Sequence, residues 1–409
     1  MPRQSGITAQ ILAENAGRDR ERVALKLRLL RGDKFAFFRG TNALFLRFLP
    51  RGSPLFRAPA TLVSGDLHLE NFGAFKGDNR LVYFDINDFD EACVAPFTVD
   101  VVRFLSCLVV AGDSLGLGRG AVARLQAAYL SAYAQAIGDG KPRWIERSLA
   151  EGVFRKLLRR ADRRTRVELL DRYTRRQDGE RRVRIDGRRT LALEDGESRR
   201  LTALLAAYAR HQDRGRRDFF RLRSAARRIA GNGSLGLPRY LLLVEGRGSP
   251  DGNFALDLKF AAPSAVARWL GREQPPFAGE AARVVAMQRI LQAIPPALLH
   301  QLSFDAAPFV LKELQPSIDR LQLDAWRGKT RRLIEAVTGM GHVSAWAHLR
   351  GCGHFGTASV EELQRHVAGR GWRTQALAVA TGASARVEEA WTLYARDFDA
   401  GRVPAAGTV

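Results

Sequence analysis

Cysteine is scarce. Cys93, Cys107 and Cys352 are the only three in 409 residues, and they form no CxxC and no Cys/His pair at zinc-ligand spacing. That pattern excludes a disulfide framework and a structural zinc site, and it fits a reducing compartment. No apolar run of seven or more residues follows the first basic residue, so the start does not read as a secretion signal. The longest apolar stretch, Ala95 to Gly112, contains Asp100 and Arg103, which makes it a poor membrane span and a good buried helix. Internal repeats and long low-complexity linkers are missing, apart from the short tail Arg402 to Val409. The expectation is a soluble, cytoplasmic protein with no membrane partner.

What is abundant is positive charge. The 65 Lys and Arg exceed the 43 Asp and Glu by 22, while 46% of residues are hydrophobic, enough to bury one large core or two ordinary ones. The stretch Arg155 to Arg228 alone carries 25 basic and 11 acidic residues, so +14 of the net charge sits there. It reads either as an electrostatic surface for nucleic acid or another anionic partner, or as arginines on solvated helix faces. The absence of interleaved aromatics and of any nucleic-acid-binding signature favours the second.

Along the chain, residues 1–35 read as a helical segment and 36–112 as a unit of short strands followed by a helix. Residues 113–228 read as a basic helical region with a hairpin at Asp186-Gly187, 229–323 as a second strand-rich unit, and 324–409 as terminal helices. Within the last unit, separate helices are expected around Ala325 to Thr338 and Val343 to Arg350. Two α+β halves follow from this order, rather than a doubly wound sheet.

Chemistry concentrates in two places. In the first, Ser64-Gly65-Asp66-Leu67-His68-Leu69-Glu70-Asn71, an Asp precedes an Asn by five residues. This is the spacing of a kinase catalytic loop, where the Asp takes or orients the proton of the attacking hydroxyl and the Asn holds a metal ion. Asp85 follows fourteen residues after Asn71, with Asp88, Asp90 and Glu91 close behind. Carboxylates packed this densely repel one another unless a cation joins them, and Asp85 or Asp88 is the candidate second ligand for Mg²⁺. An acidic turn capping the next helix is the plainer alternative for Asp90 and Glu91.

In the second place, Gly231, Gly233, Ser234 and Gly236 form a glycine loop ahead of the strand Tyr240 to Val244. Lys259 follows within the apolar strand FALDLKFA, where it needs an anionic partner, and Glu280 at the start of a predicted helix is the candidate. Loop, strand Lys and helix Glu are the ATP-holding parts of a kinase, and Phe309 to Leu314 would be the hinge that meets the adenine. The order is inverted, since Asp66 precedes Gly231 by about 165 residues. No Asn occurs after Asn253, so a conventional later catalytic loop is excluded. The expected fold is therefore α+β, two-lobed and protein-kinase-like, circularly permuted and with a large helical component.

The segments GDLHLENFG, FDINDFDEA with the following APF and Asp100, IAGNGSLG and ARVVAMQRILQ resemble the bacterial domain of unknown function 2252 family. That family is distantly similar to the protein-kinase-like and aminoglycoside-phosphotransferase-like folds. The resemblance implies an ATP- and Mg²⁺-dependent phosphotransferase, with Asp66 and His68 as catalytic candidates. Its acceptor would be a hydroxyl-bearing small molecule rather than a protein. Ser64 stands where such kinases carry His, and Asp85-Ile86-Asn87 is not DFG. A non-catalytic nucleotide- or nucleic-acid-binding protein on the same scaffold is the first alternative. A metal-dependent phosphoesterase is the second, because Gly65-Asp66-x-His68 also opens that pattern and His342, His348 or His354 could join it.

Overall fold

The computed structural model describes residues 6–213, 217–315, 326–369 and 371–403, so the boundary expected at 323 and the helix start expected at Ala325 lie outside the described residues. The protein is α+β. Its strands, in chain order, are β1 (Ala60–Val63), β2 (Phe72–Lys76), β3 (Val82–Ile86), β4 (Cys93–Pro96), β5 (Ile145–Glu146), β6 (Thr174–Gln177) and β7 (Glu180–Val183). They continue as β8 (Thr190–Leu191), β9 (Leu222–Arg228), β10 (Arg239–Val244), β11 (Phe254–Phe260), β12 (His300–Phe304) and β13 (Ala307–Glu313). No helix among the described residues is long and apolar enough to cross a membrane.

The first half is built around the helix Thr98–Ala111, almost wholly buried, as its apolar run predicted. Two small antiparallel units lie against the core that contains it, β1 with β4 and β2 with β3 and β5. Between them runs the loop 64–71, so strand pairing on both sides fixes where its side chains emerge.

The second half is one six-stranded antiparallel sheet, ordered β12-β13-β11-β10-β9-β8. Its two faces follow from period-two alternation. Leu242, Leu256, Leu258 and Leu311 point to one side, where Leu201, Leu205 and Tyr208 of the helix Glu197–Arg210 cover them. Ala226, Leu241, Leu243 and Ala255 point to the other, where Leu170, Tyr173 and Val183 close over them. Segments of the basic region therefore cover both faces of this sheet. The helices Ala265–Leu270 and Glu280–Leu291 lie between β11 and β12, and the second packs beside β13.

Two local expectations are corrected. The hairpin does not form at Asp186-Gly187: β8 pairs with β9, and the Asp186 carboxylate instead accepts the N–H groups of Arg188 (2.9 Å) and Arg189 (2.7 Å). The hairpin joins β6 to β7 one turn earlier, at Asp178-Gly179, where both residues have positive φ (51° and 74°), as a tight two-residue turn requires. The two helices expected in the last unit are one, Thr330–Gly351. Gly341, between the two expected spans, lies inside the helix and lets it approach its neighbour, because a Cβ would sit 2.6 Å from the Tyr129 carbonyl.

Candidate functional site

The loop after β1 is held by one buried carboxylate. Asp100, in the first turn of the helix Thr98–Ala111, accepts the N–H of Ser64 and of Gly65, each at 2.8 Å, and the Ser64 hydroxyl at 3.2 Å. His348 Nε2 lies 3.2 Å from the same carboxylate, and its Nδ1 meets the Tyr133 hydroxyl at 2.7 Å. Gly65 has φ +80°, and a Cβ there would stand 2.4 Å from the Glu91 carbonyl. The loop is therefore pressed against the Asp88–Glu91 turn, and only glycine fits the contact.

Asp66 projects from this loop into a half-buried position. Arg103 binds it through Nε (2.9 Å) and Nη2 (2.8 Å), and the Arg103 guanidinium is itself stacked 3.5 Å from the Phe38 ring centroid. Burial pushes the Asp66 carboxyl up to about 7; Arg103 opposes this, while the charges of Glu91 and Asp88 add to it. Asn71 Nδ2 donates to the Asp66 carbonyl at 2.6 Å, closing the loop across the five-residue spacing that singled it out. His68 is buried edge-on to Phe35, and its Nδ1 accepts the Glu70 N–H at 3.2 Å. Its observed contacts shape the turn Leu69–Asn71.

The acidic residues that follow divide into two groups. Asp85 at the end of β3 accepts the N–H of Ile86 (2.8 Å) and of Ala293 (3.0 Å), with Arg350 at 3.7 Å. It fastens the strand to the C-terminal end of the helix Glu280–Leu291. Asp88 and Asp90 turn the other way and form ion pairs with Lys259, with Asp88 Oδ1 at 3.4 Å from Nζ. Against the burial that raises it, Asp88 is pulled down to about 2 by Lys259, Lys312 and Arg239. Lys259 is held above its ordinary value because Asp88 and Asp90 outweigh the desolvation that would lower it.

Glu280 does not reach Lys259. Its carboxylate binds Arg283 one turn on at 2.7 Å, and the Arg283 guanidinium reaches the carbonyls of Asp90 (2.8 Å) and Ala262 (3.0 Å). The helix is thus tied to the acidic turn through Arg283, a local partner that a search for long-range pairs passes over.

Around Lys259 the sheet carries a charged cluster that motif spacing did not reveal. Arg239 lies opposite Lys259 in register, and Asp257 lies opposite Lys312. Asp257 is buried and binds Arg228 and Arg239, each with one contact at 2.8 Å, and these arginines hold its carboxyl well below the usual range despite burial. Three cations, Arg228, Arg239 and Lys312, therefore act on one carboxylate on the sheet face that meets Asp88, with Lys259 beside them on that face. Alternation does signal part of it, since Asp257 and Lys259 break the apolar strand Phe254–Phe260 and Lys312 interrupts Ala307–Glu313.

The glycine loop spans β9 to β10, with Gly231 (φ +82°) and Gly236 (φ +90°) in conformations suited to glycine. Its carbonyls face the N-terminal helices: Arg18 and Lys26 each donate to the Gly233 carbonyl at 2.9 Å, and the Gly236 carbonyl accepts the Asp19 N–H at 3.0 Å. The Ser234 hydroxyl turns back to the Ala230 carbonyl at 3.5 Å. Burial lowers Lys26 to about 7.

The structure thus brings Asp66 and Asn71 together on one loop and Asp88 and Lys259 together across the halves, while Asp85 anchors β3 to the end of the helix Glu280–Leu291 and Glu280 pairs locally with Arg283. His342 stacks on Trp346, and His354 lies in the short turn His354–Gly356. Among the described residues, no three His, Cys, Asp or Glu groups stand close enough to hold one metal ion. Mg²⁺, however, characteristically takes only one or two protein oxygens and completes its shell with water and substrate phosphates. Asn71 and Asp88 are donors of that hard-oxygen kind.

Residues 18–397 match the family described as an uncharacterized protein conserved in bacteria, DUF2252. The chain belongs to this family. The match covers nearly every element of the DUF2252 protein described above, from the N-terminal helices to the last one. No curated protein and no solved structure matches the chain.

Proposed function

We propose that this DUF2252 protein is an ATP- and Mg²⁺-dependent phosphotransferase with a circularly permuted, kinase-like chain. The observation that carries the reading is the pairing of Lys259 with Asp88 and Asp90, 171 residues from Asp88 in sequence, across the interface of the two halves. A strand Lys facing a metal-binding Asp is the charge arrangement that phosphoryl transfer uses. The succession of elements agrees with it. A glycine loop joins two antiparallel strands, the next strand carries the Lys, and two helices, Ala265–Leu270 and Glu280–Leu291, follow before the last two strands.

The permutation has its own support. The helix Thr330–Gly351, which follows the sheet in the chain, ends against β1, the strand that leads into the Asp66 loop. Thr61 Oγ1 donates to the His348 carbonyl at 2.8 Å, and a Cβ on Gly351 would stand 2.9 Å from the Leu62 Cβ. A chain passing from the sheet through this helix arrives beside the catalytic-loop strand without being covalently joined to it.

In this reading Asp66 is the proton acceptor for the attacking hydroxyl, and Arg103 fixes its orientation. Lys259 grips the nucleotide phosphates, and Asn71 and Asp88 hold Mg²⁺, which supplies charge neutralisation of the phosphates when bound. The acceptor is a hydroxyl-bearing small molecule. The test is thermal unfolding with Mg-ATP: a rise in melting temperature is expected, absent in Lys259→Ala and Asp88→Asn. An unchanged melting temperature in the native sequence would sink the proposal.

A further inference from the structure

A groove of about 1380 Å³ lies between the helices Gly152–Arg163 and Arg166–Tyr173 and the start of the helix Thr330–Gly351. None of the Asp66–Lys259 cluster lines it. Of the eighteen described residues that line it ten are Lys or Arg and three are acidic, a formal excess of seven positive charges among them.

The three acids are each engaged by protein groups. Glu335 accepts the Val153 N–H at 2.7 Å, Glu168 closes a capping box with Thr165, and Asp171 binds Arg181 at 2.6 Å. Five lining cations, Lys156, Arg159, Arg163, Arg331 and Arg332, are exposed, and among the described residues their side chains form no hydrogen bond or ion pair. Lys156, Arg159 and Arg163 share one helix face, where Arg159 and Arg163 repel at i,i+4 spacing. Arg331 and Arg332 stand in a first helical turn that holds no acidic residue, so the positive end of the helix adds to their field.

A basic run on a convex helix is ordinarily a solvated face. Here two elements face one another, and a concave wall of one sign focuses potential on whatever enters. Guanidinium forks match phosphate oxygens two at a time. The groove exceeds the ~300–1,000 Å³ typical of sites for compact ligands, which points to an extended one. Among the described lining residues Trp326 is the single aromatic, so they offer no stacking platforms for a series of bases.

We propose that this groove binds a linear, base-free polyphosphate through its phosphate oxygens. The experiment is fluorescence anisotropy of the full-length protein with an end-labelled inorganic polyphosphate over a range of salt concentrations. Affinity should fall linearly with the logarithm of salt. The Arg159→Glu/Arg163→Glu double variant should lose at least about tenfold in affinity and about two phosphate contacts from the slope. Arg331→Ala/Arg332→Ala, on the opposite wall, should weaken binding in the same sense and covers the case in which the first variant does not fold. Arg119→Glu, exposed outside the groove, should leave it unchanged. Absence of binding at low salt, or binding indifferent to both double variants, overturns the proposal. So does an oligonucleotide of equal phosphate number that binds more tightly than polyphosphate, which would make the groove a nucleic-acid site.

Discussion

Asp100→Asn is the substitution whose cost the structure defines most closely. The carboxylate is fully buried and takes two backbone N–H groups on different oxygens, Gly65 on Oδ1 and Ser64 on Oδ2, both at 2.8 Å. An amide has one oxygen and one NH₂, so in either orientation a donor faces a donor and one backbone N–H loses its partner. An unsatisfied buried N–H costs about 1–3 kcal/mol, and losing the charge on the surviving bonds removes about 1 kcal/mol more from each. The Ser64 hydroxyl and His348 soften the loss only slightly, since each is 3.2 Å away and each can reorient its proton. The sum is about 3 kcal/mol, to be read from urea denaturation followed by circular dichroism. Ser64→Ala, which removes only the longer hydroxyl contact, should cost about 1 kcal/mol or less and serves as the internal control. Because the loop that Asp100 holds carries Asp66 and Asn71, the Mg-ATP stabilisation should shrink in parallel with stability. An Asp100→Asn protein within about 1 kcal/mol of the parent would refute the clamp, since even one orphaned N–H costs that much.

Gly65→Ala should destabilise by more than about 2 kcal/mol in the same assay, combining the left-handed backbone penalty with a contact against the Glu91 carbonyl that has no flexible atom to yield. Asp66 sets a pH dependence. Its carboxyl titrates near 7 in the folded chain and about 3.9 unfolded, so between these values the folded state holds the extra proton and stability falls as pH rises. That slope should disappear in Asp66→Asn, and transfer activity, which needs the ionised form, should rise through pH 7. Base selectivity should be poor. The sheet face beside Lys259 is charged by Arg228, Arg239, Asp257 and Lys312, and its apolar part is covered by Leu170, Tyr173 and Val183. ATP and GTP should therefore raise the melting temperature alike, and a preference above tenfold, about 1.4 kcal/mol, would contradict this.

Local chemistry was legible in sequence and long-range pairing was not. The Asp66–Asn71 spacing marked a loop that does close on itself, because an Asn five residues on can reach back to the carbonyl of the Asp. The strand holding Lys259 and the helix at Glu280 were equally plain, since alternation and helical periodicity act within a few residues. Which anion Lys259 meets depends on how two halves dock, and spacing carries no information about that. Glu280 was credible by offset alone, yet Arg283, three residues away, costs no loop closure to recruit. Asp85 and Asp88 differ by less than a helical turn in sequence. They separate in function because strand β3 ends between them and turns Asp85 toward Ala293. Arg103 was visible only as an interruption of an apolar helix. Its buried position makes sense once Asp66 and the Phe38 ring are placed around it.

The basic region shows how unevenly net charge translates into surface field. Arg181 is fully buried and satisfied by Asp171 and Asp251, Arg227 is bound by Glu194 and Glu197, and Arg228 pairs with Asp257 inside the sheet cluster. These arginines fasten the covering segments to the sheet, and their charge is largely cancelled where it sits. The helix Gly152–Arg163 differs, because its apolar stripe of Phe154, Leu157, Leu158 and Ala161 packs inward while Lys156, Arg159 and Arg163 face outward and form no ion pair among the described residues. The same composition thus yields two physical roles within one stretch. Neutralising Arg181 should cost stability, because it leaves Asp171 and Asp251 without their shared cation. Neutralising Arg159 should leave stability within about 0.5 kcal/mol, as for an exposed residue without partners, and alter anion binding alone.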